Sequence, residues 1–331
     1  MKSIFKVMVI VLLIPTFNIS AEIRNDLVVV CSSNGRNNNR ILISKKDGTL
    51  IKSFTTDEQI DYVDLSIGDY DGDGISEIAV ICKRSTNSRT DELIVYNFDG
   101  SVYSEFHAGE RISKIGNINN ITSADINDDG IEELIVSCSE TGDLSGTFNN
   151  LVAFSGSGDY LFSNFDYPGG LNFIGITGGN FDPKKKGEEV VVYEPFRNDY
   201  DRIIIFSLNL SKADLFSYSR QSEGSNYKLS SITGGDIDGD GLDEVVALDK
   251  NRVVIFKDKS FLKEVSYEGD DLLGVTCLDL NQDGIENIAV YRSQGTTIPQ
   301  SHDQIVVFKS NSNERIFSQY QYSDYGFGSI Q

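Results

Sequence analysis

An Asp-rich segment that recurs before apolar strands constrains this chain more than any other feature of its sequence. Five copies align, and they begin 56, 55, 56 and 43 residues apart. Periods of this size are typical of β-propellers, in which each repeat folds into a blade of four strands. The copies read DYDGDGISEIAVI from Asp69, DINDDGIEELIVS from Asp125, NFDPKKKGEEVVVY from Asn180, DIDGDGLDEVVAL from Asp236 and DLNQDGIENIAVY from Asp279.

Each repeat contains four short apolar or aromatic runs and lacks helical periodicity. The runs are continuous rather than alternating, as expected for strands that are packed on both faces between neighbouring blades. Turn signals such as Asp99-Gly100 separate the third run from the fourth. The runs predicted as third strands are Leu93–Tyr96, Leu151–Phe154, Ile203–Phe206, Val253–Phe256 and Ile305–Phe308.

The two ends of the chain predict how the ring closes. Asp26–Val30 matches a strand that follows an Asp loop, and Arg40–Ile43 and Leu50–Phe54 supply the third and fourth strands. The first strand of this blade is missing, and Tyr325–Ile330 is the candidate for it. Pairing the termini in one blade would remove exposed sheet edges. The sequence therefore predicts an all-β, six-bladed propeller, with seven blades as the alternative.

The Asp-rich segments have the side chains that a calcium ion requires. Oxygen-bearing residues stand at positions 1, 3, 5 and 9, Gly stands at position 6, and the carbonyl of position 7 completes the set. Calcium takes six to eight such oxygens. Position 12 falls inside a strand, which excludes an EF-hand. The predicted ligands are Asp69, Asp71, Asp73, Ile75 and Glu77; Asp125, Asn127, Asp129, Ile131 and Glu133; Asp236, Asp238, Asp240, Leu242 and Glu244; and Asp279, Asn281, Asp283, Ile285 and Asn287.

The copies differ in charge, and charge tunes calcium affinity. The loops at Asp69 and Asp236 each offer four carboxylates, the loop at Asp125 offers three, and the loop at Asp279 offers two. We expect the affinity to fall in that order and the three or four ions to be mainly structural. The remaining copy, at Asn180, carries Lys184–Lys186 where acids should stand. We expect no metal there and an ammonium group in place of the cation.

The pattern D-x-[DN]-x-D-G-x-x-[ED] before an apolar strand resembles the FG-GAP/VCBS repeats of integrin-α-type propellers. The resemblance extends over essentially the whole chain after its leader. It implies calcium between the first two strands of a blade and a ligand site on the opposite face of the ring.

The N-terminus predicts export. Residues 1–21 combine Lys2 and Lys6 with the apolar run Val7–Ile14 and small residues near Ala21, as in a cleaved signal peptide. An uncleaved anchor is the alternative. A single propeller would then occupy residues 22–331, in a secreted or periplasmic protein. Cleavage would remove two lysines and no acid, changing the net charge from −21 to −23. Such a charge disfavours binding to nucleic acid.

The cysteines predict thiols rather than disulfides. Cys31, Cys82 and Cys138 occupy the same position in successive repeats. Equivalent positions of neighbouring blades lie too far apart for a bridge, which needs Cα atoms within about 7 Å.

The loops between second and third strands predict the partner-binding face. They emerge opposite the Asp loops, and most of them are long and polar. Recognition residues concentrate on variable loops that a rigid scaffold positions. The residues predicted to contact a partner are Arg84, Arg89, Tyr167, Phe196, Arg197 and Tyr200.

Three function classes remain open from the sequence. The first is a non-enzymatic module that binds a protein or glycan outside the cytoplasm. The second is a propeller-based enzyme, either a lyase or a calcium-dependent phosphohydrolase. His107 and His302 have no recognisable catalytic partner, and no nucleophile or nucleotide-binding motif occurs. The third is a structural subunit of an envelope complex.

Overall fold

A computed structural model describes a series of segments that together contain most of the repeats. The segments are residues 7–12, 27–32, 40–45, 50–54, 60–84, 92–142, 150–165, 173–195, 200–207, 210–219, 229–249, 252–258, 260–266, 272–279, 283–292, 304–308 and 315–318.

The strands pair into antiparallel sheets of four, each made of strands that are consecutive along the chain. The first strands of successive blades contact one another. The chain is thus a β-propeller of four-stranded blades. The first two sheets consist of β1 (Val7–Leu12), β2 (Leu27–Ser32), β3 (Arg40–Lys45) and β4 (Leu50–Phe54), and of β5 (Ile60–Gly68), β6 (Glu77–Arg84), β7 (Glu92–Tyr96) and β8 (Val102–His107). The next two consist of β9 (Ile115–Ala124), β10 (Glu133–Glu140), β11 (Asn150–Phe154) and β12 (Tyr160–Ser163), and of β13 (Gly175–Gly179), β14 (Glu189–Pro195), β15 (Tyr200–Ser207) and β16 (Ser211–Ser219). The last two consist of β17 (Leu229–Gly235), β18 (Glu244–Asp249), β19 (Arg252–Lys257) and β20 (Ser260–Ser266), and of β21 (Leu272–Leu278), β22 (Asn287–Arg292), β23 (Gln304–Phe308) and β24 (Arg315–Ser318).

The two middle strands of the blades carry the core. Every residue of β7 and of β11 is buried, which confirms the reading of continuous apolar runs as strands packed on both faces. The fourth strands are wetter, and Val102 in β8 and Tyr160 in β12 are exposed. All five predicted third strands lie within strands of the structure: β7, β11, β15, β19 and β23.

Five blades, β5–β8 through β21–β24, are built from the five Asp-loop repeats, and the predicted closed ring of six blades, or of seven as the alternative, is not shown. The remaining sheet, β1–β4, takes its first strand from Val7–Leu12, which pairs with Leu27–Ser32. This run lies in the predicted leader, and its β-branched residues suit a strand. Tyr325–Ile330, predicted for that position, lies outside the described residues, and ring closure by the two termini is not shown.

Glycines let the innermost strands of neighbouring blades approach closely. The Gly178 N–H in β13 donates to Thr122 Oγ1 of β9 at 2.9 Å, and the Gly234 N–H in β17 donates to Thr177 Oγ1 at 3.0 Å. A Cβ at Gly178 would stand 1.9 Å from the Ser123 carbonyl oxygen. The side-chain-free surface of Gly178 is therefore a requirement of the packing between two blades.

The one helix found in the described segments, α1 (Ala108–Arg111), connects β8 to β9. None of the described helical residues forms a helix long and apolar enough to span a bilayer. Cys82 and Cys138 are free and buried, as predicted, and Cys277 is free and half-buried. The side chain of Cys31 lies outside the described residues.

Candidate metal centres

The Asp-rich segments connect the first and second strands of five blades, as the sequence predicted. In the loop at Asp69 the first carboxylate closes the turn. Its Oδ1 accepts from the Gly72 N–H at 2.8 Å, and its Oδ2 accepts from the Gly74 N–H at 2.9 Å. Gly74, at position 6, has φ of 83°, in the left-handed region that favours glycine. The loops at Asp125, Asp236 and Asp279 repeat this Oδ2 bond to the glycine at position 6.

The residue at position 9 is placed by the strand register. Gly68 pairs with Glu77, so that Glu77 opens β6 directly beneath the loop. Its side chain is only 2% exposed, and its Oε2 accepts from the Tyr70 N–H at 2.9 Å. Glu133 and Glu244 make the same bond in their own loops. A buried carboxylate is therefore held below the exposed acids of positions 3 and 5.

The carboxylate at position 5 also uses one oxygen to accept a hydrogen bond from the loop backbone. Asp73 Oδ1 accepts from the Ile75 N–H at 2.8 Å, and Asp240 Oδ1 accepts from the Leu242 N–H at 3.0 Å. In the first loop Asp71 Oδ1 likewise accepts from the Asp73 N–H at 3.0 Å. The second oxygens of these carboxylates are not needed to close the turn.

Two loops bring carboxylates together closely enough to hold a cation. One oxygen from each of three side chains lies within 4.8 Å of the others, and this holds for two groups among the described residues. The oxygens are hard ligands of the kind that Ca²⁺ and Mg²⁺ prefer, so the residues present fit a divalent ion. The two groups are Asp69, Asp71 and Glu77, and Asp236, Asp238 and Glu244.

The electrostatics of the buried acids favour a cation as well. Burial, followed by the negative charges of Asp71, Asp73 and Asp69, raises the pKa of Glu77 to about 7, against the bond from Tyr70 that lowers it. Burial and the neighbouring acids raise the pKa of Glu133 to about 7. A bound cation would stabilise the charged carboxylates that otherwise repel one another.

The second group already contains a cation that belongs to the chain. The ammonium of Lys257 contacts Asp238 Oδ2, lies 2.7 Å from Asp240 Oδ2 and lies 3.0 Å from Glu244 Oε1. Although desolvation acts in the opposite direction, these carboxylates raise the pKa of Lys257. Lys257 ends β19 and stands 21 residues after Asp236, so the loop motif alone did not reveal it.

The other two predicted loops are arranged differently. In the loop at Asp125, the Asn127 Nδ2 amide donates to Glu133 Oε1 at 2.6 Å and thereby occupies the inward oxygen. In the loop at Asp279, Asn281 lies outside the described residues, and Asn287 opens β22 as a buried amide. Their calcium sites stay predictions.

In the copy at Asn180, none of the described contacts joins one of its own lysines to Glu189. Lys184, Lys185 and Lys186 are exposed, and Lys186 makes a distant pair with Asp128 at 3.9 Å. Glu189 Oε2 accepts from the N–H groups of Phe181 and Asp182. The expected ammonium substitution is therefore found in the loop at Asp236 and not in this one.

Sequence reasoning missed a second row of acids, which directly precede the acid or amide that opens the second strand in four of the five copies. Glu188 belongs to one blade, but its Oε2 accepts from the Asp125 N–H of the preceding blade at 3.1 Å. The Glu188 N–H donates in return to the Asp125 carbonyl at 2.8 Å. The recurrence of an acid at this position was visible in the repeats. In the other members the backbone N–H groups of Glu132, Asp243 and Glu286 donate to the carbonyl oxygens of Asp69, Asn180 and Asp236.

These acids link four of the five Asp-rich segments to the next blade. Burial is the main cause that raises the pKa of Glu132 to about 7, of Asp243 to about 6 and of Glu286 to about 8. Glycines make room for them, since a Cβ at Gly235 would lie 2.1 Å from Glu286 Oε2. Changes in one Asp loop therefore bear directly on the interface between two blades.

Two of the six predicted partner-binding residues lie within described strands. Arg84 ends β6 and Tyr200 begins β15, at the blade ends opposite the Asp loops. Their side chains, and the residues Arg89, Tyr167, Phe196 and Arg197, lie outside the described residues.

No family model matches this chain, and no curated protein matches it. Its fold is similar to that of a Bacteroides caccae protein of unknown function, at a TM-score of 0.53 and 12% identity over 89% of this chain and 95% of that one. It is similar to BBS1N, crystallised with ARL6DN, at a TM-score of 0.52 and 12% identity over 89% of this chain and 76% of that one. The match to a Bacillus licheniformis rhamnogalacturonan lyase has a TM-score of 0.47 and 15% identity over 96% of this chain and 64% of that one. At these identities the likeness shows the propeller fold alone, and the lyase match carries no inference about activity.

Proposed function

We propose that this chain is an exported, calcium-binding propeller of the FG-GAP/VCBS type that acts as a non-enzymatic module for binding a protein or a glycan. One observation carries the calcium assignment: three carboxylates converge within 4.8 Å in the loop at Asp69. Calcium rather than a transition metal fits, because every predicted ligand is an oxygen and Asp, Asn and backbone carbonyls alternate in a tight loop.

Calcium has a structural role in this proposal. Burial and the neighbouring acids raise the pKa of Glu77, and the carbonyl of Asp69 accepts from the Glu132 N–H of the next blade. An ion that neutralises the acids stabilises both the turn and the blade interface. Recognition is then left to the opposite face, where Arg84 and Tyr200 stand at strand ends.

The first test is a calcium titration of the melting temperature of the exported chain. At millimolar calcium each occupied loop adds about 1 kcal/mol, so two or more occupied loops raise the melting temperature by about 2 °C or more in total. Magnesium at equal ionic strength is the control, and it should stabilise less because it keeps its waters. A melting temperature that is the same in calcium and in chelator would count against the assignment.

We also propose that Tyr325–Ile330 pairs with β2 in the processed chain and closes the ring. In the full-length chain β1 holds this position. Deleting residues 325–331 should therefore lower the melting temperature of the processed chain by about 3 °C or more, because a strand edge becomes exposed. The same deletion in the chain that retains residues 1–21 should change it much less. Equal effects in both forms would refute terminal closure.

The partner class is tested with the calcium-loaded protein. Capture of defined proteins and glycan-array binding are measured side by side, with Arg84→Ala and Tyr200→Ala as the matched variants. The proposal expects one ligand class whose binding both substitutions weaken. Turnover of an added polysaccharide or phosphoester by the purified chain would contradict the non-enzymatic assignment.

A further inference from the structure

The loops at Asp69 and Asp236 have the same acids at the four side-chain ligand positions but differ in the structure. Both carry acids at positions 1, 3, 5 and 9. Only in the second loop does an ammonium, that of Lys257, contact the acids of positions 3, 5 and 9 together among the described contacts. The difference therefore lies outside the motif.

The oxygens that contact Lys257 are those that the loop does not use to close its own turn. Asp240 Oδ1 accepts from the Leu242 N–H, and its Oδ2 accepts from the ammonium. Glu244 Oε2 accepts from the Ile237 N–H, and its Oε1 lies against the ammonium. The ammonium thus stands where these inward oxygens converge, which is the place that a divalent ion would take.

The strand register explains why only one of the two loops has this ammonium. Val245 pairs with Phe256 in one blade, and Ile78 pairs with Tyr96 in the other. Lys257 follows Phe256 in sequence, so the equivalent residue beside the loop at Asp69 is Asn97. The Asn97 side chain is turned to its own hairpin, where its Nδ2 donates to Ser101 Oγ at 2.9 Å. The loop at Asp69 therefore lacks a covalently attached cation at this position.

We propose that Lys257 is a built-in cation that occupies the loop at Asp236, so that this blade folds without metal and calcium binds there only by displacing the lysine. This inference rests on the calcium binding proposed above and adds an order to it. The loop at Asp69 binds calcium first, and the loop at Asp236, with the same four carboxylates, binds it more weakly.

The physical reason is competition for one position. An ammonium donates three hydrogen bonds and matches the three oxygens that it contacts. The loop is competent for calcium only in the fraction of molecules whose lysine has moved out, and the apparent dissociation constant rises as that fraction falls. The lysine side chain remains 23% exposed, so exchange does not require opening of the core.

The test measures calcium binding by calorimetry and chelator competition on the full exported chain. Lys257→Met keeps an apolar side chain of similar length and removes the charge. We expect it to tighten one calcium site by about tenfold or more, and we expect a lower melting temperature in chelator that calcium restores. Lys52→Met removes the same charge at the hairpin between β7 and β8, where the ammonium contacts the Asp99 carbonyl oxygen. It should leave calcium affinities within about twofold of those of the wild type.

The reciprocal variant places a lysine beside the other loop. Asn97→Lys should weaken the tightest calcium site by about tenfold or more, and it does so in a chain whose Lys257 is intact. It also keeps the test decisive if Lys257→Met fails to fold. Calcium binding by the wild type with no change in either variant would overturn the lysine inference alone. An absence of calcium binding in the wild type and in both variants would overturn the proposed function, and the inference with it.

Discussion

Gly178→Ala is expected to lower the free energy of unfolding by about 3 kcal/mol or more, the upper part of the range for overpacking. The added Cβ would stand 1.9 Å from the Ser123 carbonyl oxygen and 2.9 Å from Ala124 Cβ. The carbonyl belongs to the backbone of the neighbouring blade and cannot rotate away as a flexible side chain would. The two inner strands must then separate, and the hydrogen bond from the Gly178 N–H to Thr122 is lost with them.

Urea denaturation followed by fluorescence or circular dichroism measures this change. Val102→Ala is a matched control, because Val102 is 52% exposed on an outer strand and its loss should cost less than about 0.5 kcal/mol. A Gly178→Ala protein as stable as this control would show that the inner strands are not packed as described.

Glu77→Gln is expected to have opposite effects with and without calcium. With calcium, loss of the buried carboxylate should weaken binding at the loop at Asp69 by about 100-fold or more, since even residues behind the metal ligands contribute 10–100-fold. In chelator, the variant should be as stable as the wild type or more so. The amide removes a buried charge whose pKa is raised to about 7 by burial and by the acids around it.

Calorimetry gives the affinity, and thermal melting in calcium and in chelator gives the two stabilities. Glu189→Gln is the matched control, because Glu189 holds the same position in the copy that carries lysines. It should leave calcium binding unchanged. A loss of stability of equal size in both conditions for Glu77→Gln would mean that Glu77 is a structural acid and not a ligand.

The repeat was enough to predict the strands and the loop positions. A residue at position 9 opens the second strand and faces the loop because the register pairs it with the residue before position 1, as Gly68 and Glu77 do. Both the apolar runs and the acid spacing are local properties, so they can be read from adjacent residues. The same holds for Gly74, whose positive φ follows from the tight turn.

What the sequence could not supply are contacts between residues far apart in the chain. Lys257 reaches Asp238 across 19 positions, and nothing in the loop motif marks that lysine. The bond from the Asp125 N–H to Glu188 crosses from one blade to the next over 63 positions. The ammonium was expected in the wrong loop for the same reason. Three lysines stand inside the copy at Asn180, yet the geometry that presents an ammonium comes from the end of a third strand.

The count of blades depended on the termini and was the least determined part of the fold. The strand missing from the first blade could come from any apolar segment with the right pattern. Val7–Leu12 fills it in the full-length chain, where Tyr325–Ile330 had been predicted.

A crystal structure of the chain grown with calcium tests the central claim most directly, through anomalous difference density at the Asp loops. We expect a peak at the loop at Asp69, with oxygens of Asp71 and Glu77 among ligands at about 2.3–2.6 Å. A well-ordered loop in which these carboxylates contact only water, or point away from one another, would contradict the account.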